Sequence, residues 1–439
     1  MVGKIIVGIV IVAGVAIAAR VLSPVDYNIN KVYMRRVLRA SRQLRDDESL
    51  RSLKVSRIDV VASPEENLER VFHRLSLITN RGRQLYYVTQ SFYPLAILFE
   101  EREKKKKSMV TTQIEAQSNP YNLAGETSAG IEVPEQAKDD PIKAEAEEAE
   151  VKTKKIARLQ AEIAQLRLLN KYTNLFPQLL NFDEKRLLTV VTDVGADRLD
   201  TLLAQATLEE KQRILHQVVG QLASSHAGSA TFARGLLPGI QYNEPMLQKL
   251  LEMGISLWTA AGLLVTEADM KELIENLQPL IKTLQESERG LKLGEATPRN
   301  FYWNGESAAM LDWGRARWDL TCFDLAELLS DPAADLPRSV EQTLVHVYLE
   351  KRQWDPRRLQ HIDYALIIYR IVLSGYMCQY ISRRQEMSEE QQQQLGGVNW
   401  SPEYLFRVWD KLLEQTSQRP ELAGLDSALR RIDMQQMIS

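Results

Sequence analysis

Three polar side chains stand at a spacing that suits phosphoryl transfer. In the run Gly294-Glu295-Ala296-Thr297-Pro298-Arg299-Asn300 a carboxylate and a carboxamide lie five residues apart in a loop. Phe301-Tyr302-Trp303 follows, then a turn at Asn304-Gly305, then Met310-Leu311-Asp312-Trp313-Gly314, which reads as a short strand pair ending in a second carboxylate. A carboxylate can accept the proton of an attacking hydroxyl, while an Asn and an Asp can hold the magnesium that neutralises phosphates. Glu295 is therefore the candidate catalytic base, and Asn300 and Asp312 are the candidate metal ligands. Each letter also has a plain structural use. Glu295 reads equally as a solvated loop carboxylate, Asn300 as the cap of the turn before Phe301, and Asp312 as the cap of the segment after it.

Such a loop needs a scaffold, and 439 residues with 44% apolar side chains suffice for two or three domains. Ile58–Ala62, Leu75–Thr79, Leu85–Gln90 and Leu95–Phe99 are strand-like, with Asn80-Arg81-Gly82 as a turn. From Ser108 to Glu150 the chain holds ten acidic and two basic residues and one aromatic, Tyr121. That composition cannot bury enough surface to offset chain entropy, so 104–150 reads as a disordered insert, either linker or regulatory segment. Ile156, Leu159, Ile163, Leu166 and Leu169 recur at helical spacing, with Glu162 inside the helix. Leu187–Thr192 is β-like. Helices are predicted at about 207–225, 244–262, 266–288, 338–352, 358–383, 402–416 and 421–436. A sheet-rich first part and a helix-rich second part argue for an α+β chain of two lobes, 57–194 and 195–439.

These segments resemble the aminoglycoside phosphotransferase and choline kinase branch of the protein-kinase-like fold. Leu293-Gly294-Glu295 and Asn300 stand for that family's H-G-D-x-x-x-x-N loop, and Leu311-Asp312-Trp313-Gly314 for its metal strand. Phe323-Asp324-Leu325-Ala326-Glu327-Leu328 resembles its D-L-A-x-x-L helix start, and Gln221-Leu222-Ala223-Ser224-Ser225-His226 its L-x-x-L-H helix end. Phe176-Pro177-Gln178-Leu179-Leu180 and Leu188–Gly195 resemble the strand and hinge that meet adenine. The resemblance implies ATP and magnesium as cofactors and a hinge at Thr192, Asp193 and Val194. Glu162 is implied as the partner of a phosphate-binding lysine, and the helices after residue 338 as the acceptor side of the site. His226 reads as structural.

The departures from the pattern matter as much. Glu295 replaces the family's Asp and is one methylene longer, and a misplacement of about 1 Å can cost on the order of a hundredfold in rate. Leu293 replaces its His. No Gly-rich phosphate loop is visible. Leu98 occupies the strand-lysine place if Leu95-Ala96-Ile97-Leu98 is that strand, and Lys152, Lys154 and Lys155 are substitutes. The expected activity is ATP-dependent phosphorylation of a hydroxyl on a small or lipid-like molecule. A catalytically inactive pseudokinase scaffold that docks a partner is the second reading, and a secreted binding protein the third.

The N-terminus bears on location. Ile5 to Ala19 carries no charge between Lys4 and Arg20, about 22 Å of helix. A membrane anchor, a secretory signal with Ala16-Ile17-Ala18 as its cleavage triplet, and an apolar helix seated in a partner all fit. Between Arg20 and Arg57 ten basic residues face four acidic ones, which favours an anchor over 1–23 with the body in the cytoplasm. Residues 24–56 are expected to form a basic juxtamembrane segment whose helix, near 30–45, lies on anionic lipid or stands in solvent. A net charge of −3 gives no sign of nucleic-acid binding, and Cys322 and Cys378 read as buried thiols.

Overall fold

The computed structural model describes residues 29–63, 68–94, 157–229 and 234–438, except positions 30, 46, 158, 185–187, 235, 238, 240–241 and 385–399. The expected anchor, the insert 104–150, Leu95–Phe99 and Lys152, Lys154 and Lys155 lie outside them. The chain divides into two compact units: described residues 29–94, 157–167 and 177–194 form the first, and 168–176 with 195–438 the second. The lobe boundary read at 194/195 coincides with this division, but 168–176 joins the helical unit.

The first unit is a five-stranded antiparallel sheet in the order β1-β2-β3-β5-β4. Its strands are β1 (Leu50–Ser63), β2 (Leu68–Thr79), β3 (Gln84–Pro94), β4 (Leu179–Asp183) and β5 (Leu188–Thr192). Gly82, at φ +79°, makes the β2–β3 turn read at Asn80-Arg81-Gly82, a backbone state that favours glycine.

Helix α1 (Lys31–Ala40) corrects the juxtamembrane reading. Its apolar stripe of Tyr33, Met34, Val37 and Leu38 is buried against Leu75, Leu77, Tyr87, Leu188 and Val190, and Leu44 and Ile29 join the same core. The stripe is thus consumed by the sheet, and only the basic side, with Arg35, Arg36 and Arg39, is exposed. An amphipathic period shows that one face needs cover but not what supplies it, so 31–56 belongs to the sheet unit. Lys31 completes the attachment by donating to the Arg51 carbonyl at 2.8 Å. Helix α2, residues 159–169, carries Glu162.

The second unit opens with β6 (Asp197–Arg198), α3 (Leu199–Gln205), α4 (Leu208–Ser229), α5 (Glu244–Ala260) and α6 (Glu267–Gln285). β7 (Arg289–Lys292), β8 (Phe301–Trp303), β9 (Ala308–Met310) and β10 (Arg317–Leu320) follow. β8 and β9 form the expected hairpin at Asn304-Gly305. β7 pairs with β10, and neither was predicted, because four residues rich in Arg, Lys and Gly carry no strand period. Five helices complete the unit: α7 (Cys322–Leu329), α8 (Arg338–Arg352), α9 (Leu359–Arg383), α10 (Pro402–Ser417) and α11 (Ala423–Arg430).

Helix α9 is buried along most of its length because it is the core helix, packed by α5, α7 and α10. At its crossing with α5, Gly375 faces Gly254 so closely that a Cβ on Gly375 would lie 2.9 Å from the Gly254 carbonyl carbon. Glu341 of α8 accepts from Arg370 of α9 and Lys411 of α10, both at 2.7 Å. Burial would raise the Glu341 carboxyl, but the two cations overturn this and hold it below its ordinary value. Cys322 and Cys378 are buried free thiols, and burial pushes both up to about 12.

Candidate active site

The candidate loop, Leu293 to Asn300, leaves the end of β7, and Asp312-Trp313-Gly314 leaves the end of β9 and leads into β10. Because β7 and β10 are paired, with Lys292 opposite Arg317, the two loops must lie side by side. Gly294, at φ +106°, sits where they touch: a Cβ there would stand 2.6 Å from Arg315 Cβ. Both the positive φ and the close approach therefore require glycine.

Glu295 and Asp312 are brought to one guanidinium. Arg315 pairs with Glu295 Oε1, and its Nε stands 3.8 Å from Asp312 Oδ2. Arg299 donates to Glu295 Oε2 at 3.3 Å, so both oxygens of the candidate base are held by arginines. Asn300 donates through Nδ2 to the Glu295 carbonyl at 2.8 Å, which turns the amide and leaves Oδ1 as an acceptor. Asp312 is 8% exposed. The Leu311 N–H donates to the Asn300 carbonyl at 3.4 Å, so the two letters stand on neighbouring segments, and an amide oxygen and a carboxylate are donor types that fit magnesium, which takes one or two protein oxygens and fills the rest with water and phosphate.

Behind the loop lies a buried charge network. Lys292 Nζ donates to Asp324 Oδ1 at 3.0 Å, Glu327 Oε1 at 2.9 Å and the Gly294 carbonyl at 2.6 Å. Asp324 Oδ2 accepts from the Leu293 N–H at 2.8 Å, and Glu327 Oε2 from the Ala296 N–H at 2.7 Å. Lys292 and the two carboxylates of α7 thus fix the backbone on both sides of Glu295. The only signal for them was the Asp324-Leu325-Ala326-Glu327 run, whose spacing puts both carboxylates on one helix face.

Burial alone would lower Lys292, but Asp324 and Glu327 more than reverse this and raise it. Burial would likewise raise Asp324; Lys292 and His226 hold it down instead. Glu327 keeps the burial effect, only partly offset by Lys292, and is pushed up to about 7. His226 is structural, as read. Burial lowers it, so it is neutral near pH 7; its Nε2–H donates to Asp324 at 3.0 Å and its Nδ1 accepts the Tyr348 hydroxyl proton at 2.7 Å.

In the first unit, Glu162 of α2 is buried, and its Oε2 accepts from Gln90 Nε2 on β3 at 3.4 Å. At this contact the strand contributes a neutral amide; the candidate lysines Lys152, Lys154 and Lys155 lie outside the described residues. At the hinge, Thr192 exchanges two hydrogen bonds with Gln178, its N–H donating to the Gln178 carbonyl and its Oγ1 accepting the Gln178 N–H, both at 2.9 Å. Asp193 is a bidentate partner of Arg74, at 2.9 and 2.6 Å, and Val194 is buried. The Thr192 and Asp193 side chains are therefore occupied in structure.

Residues 144–362 match the model of the phosphotransferase enzyme family. No curated protein sequence matches the chain. Among solved structures, a choline kinase from Streptococcus pneumoniae is similar at 12% identity and a TM-score of 0.40, over 87% of this chain and 99% of its own. A choline kinase from Cryptosporidium parvum Iowa II is similar at 10% and 0.44, over 86% and 93%. A choline/ethanolamine kinase family protein from Mesorhizobium loti is similar at 11% and 0.41, over 62% and 84%.

Proposed function

Since residues 144–362 belong to the phosphotransferase enzyme family, we propose that this chain is a membrane-tethered phosphotransferase that uses ATP and magnesium to phosphorylate a hydroxyl of a small acceptor. The observation that carries the reading is the meeting of Glu295 and Asp312 at Arg315, which sets a base-type and a metal-type carboxylate on adjacent loops.

Glu295 takes the hydroxyl proton as the acceptor oxygen bonds to the γ-phosphorus and the bond to the bridging oxygen of ADP breaks. Asn300 Oδ1 and the Asp312 carboxylate hold magnesium, which supplies charge neutralisation on the phosphates. Lys292, Asp324 and Glu327 position the loop without touching the reactants, and the backbone at Thr192–Val194 takes the adenine. Residues 5–19 form the tether, with the body in the cytoplasm.

A second reading is a pseudokinase scaffold. It is favoured by the arginine hold on both oxygens of Glu295.

Two measurements test the proposal. The full-length chain is used, because α1 and the start of β1 belong to the sheet. Its thermal unfolding is followed with and without magnesium-ATP, beside Asp312→Ala. Ligand at a hundred times its dissociation constant adds about 2.7 kcal/mol, a shift of a few degrees, and the variant is expected to lose it. An unshifted wild type overturns nucleotide binding; a shift without phosphate transfer to any acceptor favours the scaffold. For the tether, the chain is expected to stay in alkaline-washed membranes and to be released when residues 1–23 are deleted. A full-length chain that washes off refutes the anchor.

A further inference from the structure

The side of α1 turned away from the sheet carries more positive charge than its surroundings balance. Lys31, Arg35, Arg36, Arg39, Arg42 and Arg45 are exposed along the helix and just after it. Arg51 of β1 is also exposed and stands beside them, since Lys31 reaches its carbonyl at 2.8 Å. At the other end Arg83 of β3 donates to the Gln43 carbonyl at 2.9 Å, and Arg81 lies in the turn before it. The carboxylates near these cations are Asp46, Asp47, Glu48 and, on the neighbouring strand β4, Asp183. Asp47 pairs with Arg81, and the buried Glu48 with Arg83 at 3.4 Å. With all of them counted, nine basic residues stand against four acidic ones.

Two further features belong to this face. Val32 is 72% exposed, and Arg35 and Arg36 follow it one turn later on the same side of the helix. The helix also starts where the chain arrives from its apolar run. Ile29 is packed in the core, and eight residues lie between it and Arg20. The reverse of the sheet is distinct: Leu53 and Val55 pack on the α1 core, so Lys54 between them points to the other side.

We infer that this face seats the sheet unit on an anionic lipid surface, its guanidiniums at the headgroups and Val32 at the edge of the acyl layer. The contact is electrostatic and leaves the apolar stripe of α1 in the core. It goes beyond the tether proposed above, because a tether limits distance, whereas a charged face sets which side of the unit meets the bilayer. Basic side chains are drawn to an anionic leaflet, within about a Debye length of it. Lipid is favoured over another polyanion by the two further features. An exposed aliphatic side chain gains from hydrocarbon and not from a solvated phosphodiester backbone. Single-stranded nucleic acid would need rings on which to stack its bases, and the one aromatic residue of α1, Tyr33, is buried.

The test reconstitutes the full-length chain into vesicles of phosphatidylcholine alone or mixed equally with phosphatidylserine. Cys322 and Cys378 are buried, so Val32→Cys offers a single accessible thiol among the described residues for an environment-sensitive dye. Its emission is expected to shift to the blue on the mixed vesicles only, and to return when salt is added. A second arm uses the chain without residues 1–23, which keeps every described residue, in cosedimentation with the same vesicles at neutral pH. Arg36→Gln is expected to weaken binding about fivefold, and Arg35→Gln with Arg36→Gln about 25-fold, at about 1 kcal/mol per basic residue. Lys54→Gln, on the reverse side, should change it less than about twofold. Arg35, Arg36 and Lys54 are exposed, so unfolding temperatures should stay unchanged. Equal signals on both vesicles, a loss in Lys54→Gln as large as in Arg36→Gln, or tighter binding to duplex DNA than to the mixed vesicles overturns the inference. A chain lost on alkaline washing strikes the tether alone, whereas a tethered chain without the blue shift strikes this inference alone.

Discussion

Lys292→Met is expected to destabilise the second unit by about 3–5 kcal/mol, the range for removing one partner of a buried ion pair. Methionine nearly fills the volume, so the cost is electrostatic and not a cavity. Lys292 is fully buried, and its Nζ serves two carboxylates and one carbonyl. Without it Asp324 keeps the Leu293 N–H and His226, and Glu327 keeps only the Ala296 N–H.

The deficit should depend on pH in a definite direction. Burial already pushes Glu327 up to about 7 in the folded chain, above its ordinary 4.5. The folded state therefore binds more protons than the unfolded state between those values, and stability falls as pH rises through that window. Loss of Lys292 raises Glu327 further and carries the fall to higher pH, so the variant's deficit is smaller at pH 5 than at pH 8. Urea unfolding at the two pH values checks both magnitude and sign. An equal, small deficit at both would show that the network does not hold the loop. Glu327→Gln placed on Lys292→Met should recover part of the loss at pH 8, because it removes the uncompensated charge but keeps an acceptor for Ala296.

Gly375→Ala is expected to cost about 3 kcal/mol, against the direction that helix propensity alone would give. Propensity favours alanine over glycine in a helix interior by about 1 kcal/mol. Here the added methyl meets backbone and not a side chain that can swing away, since the Gly254 carbonyl carbon would lie 2.9 Å from the new Cβ. α5 and α9 must then separate, and overpacking of this kind costs about 1–3 kcal/mol or more. Two further contacts would be disturbed: Trp258 Nε1 donates to Ser374 Oγ across this crossing at 3.0 Å, and Trp258 packs edge-on against Trp409 at 5.5 Å. The functional effect follows from helix geometry. Ile368, Tyr369, Val372 and Tyr376 of α9 line the pocket beside Glu295, so a shifted α9 opens that pocket. Calorimetric unfolding gives the stability change. A stabilised Gly375→Ala would mean that the two helices are not in contact there.

The nearness of the three candidate letters to one another was legible because they are local. Glu295, Asn300 and Asp312 sit in loops whose turn residues and short strands are adjacent in sequence, and Gly294 is explained by the same two loops. Lys292 was not legible, because its importance comes from the pairing of β7 with β10 and from α7, thirty residues on, and nothing near it marks a buried cation. The contact of Glu162 with Gln90 was hidden for a related reason. Which β3 residue meets Glu162 is decided by how α2 lies on the sheet, and Gln90 is set apart only by that packing. Helix α1 shows the limit of periodicity from the other side: its stripe was read correctly, but its cover is the sheet and not lipid.

That cover has a further consequence under the proposed tether. Ile29 already belongs to the packed core of the first unit, and eight residues lie between it and Arg20 at the end of the apolar run. Even fully extended, such a leash spans about 30 Å. The sheet unit cannot roam; its attachment point stays within a single domain's width of the bilayer, so it searches a thin slab instead of the bulk. Molecules confined to the headgroup layer are then met by lateral diffusion at a high effective concentration. Selectivity among chemically similar acceptors could then be set by where they reside as much as by how tightly the pocket holds them.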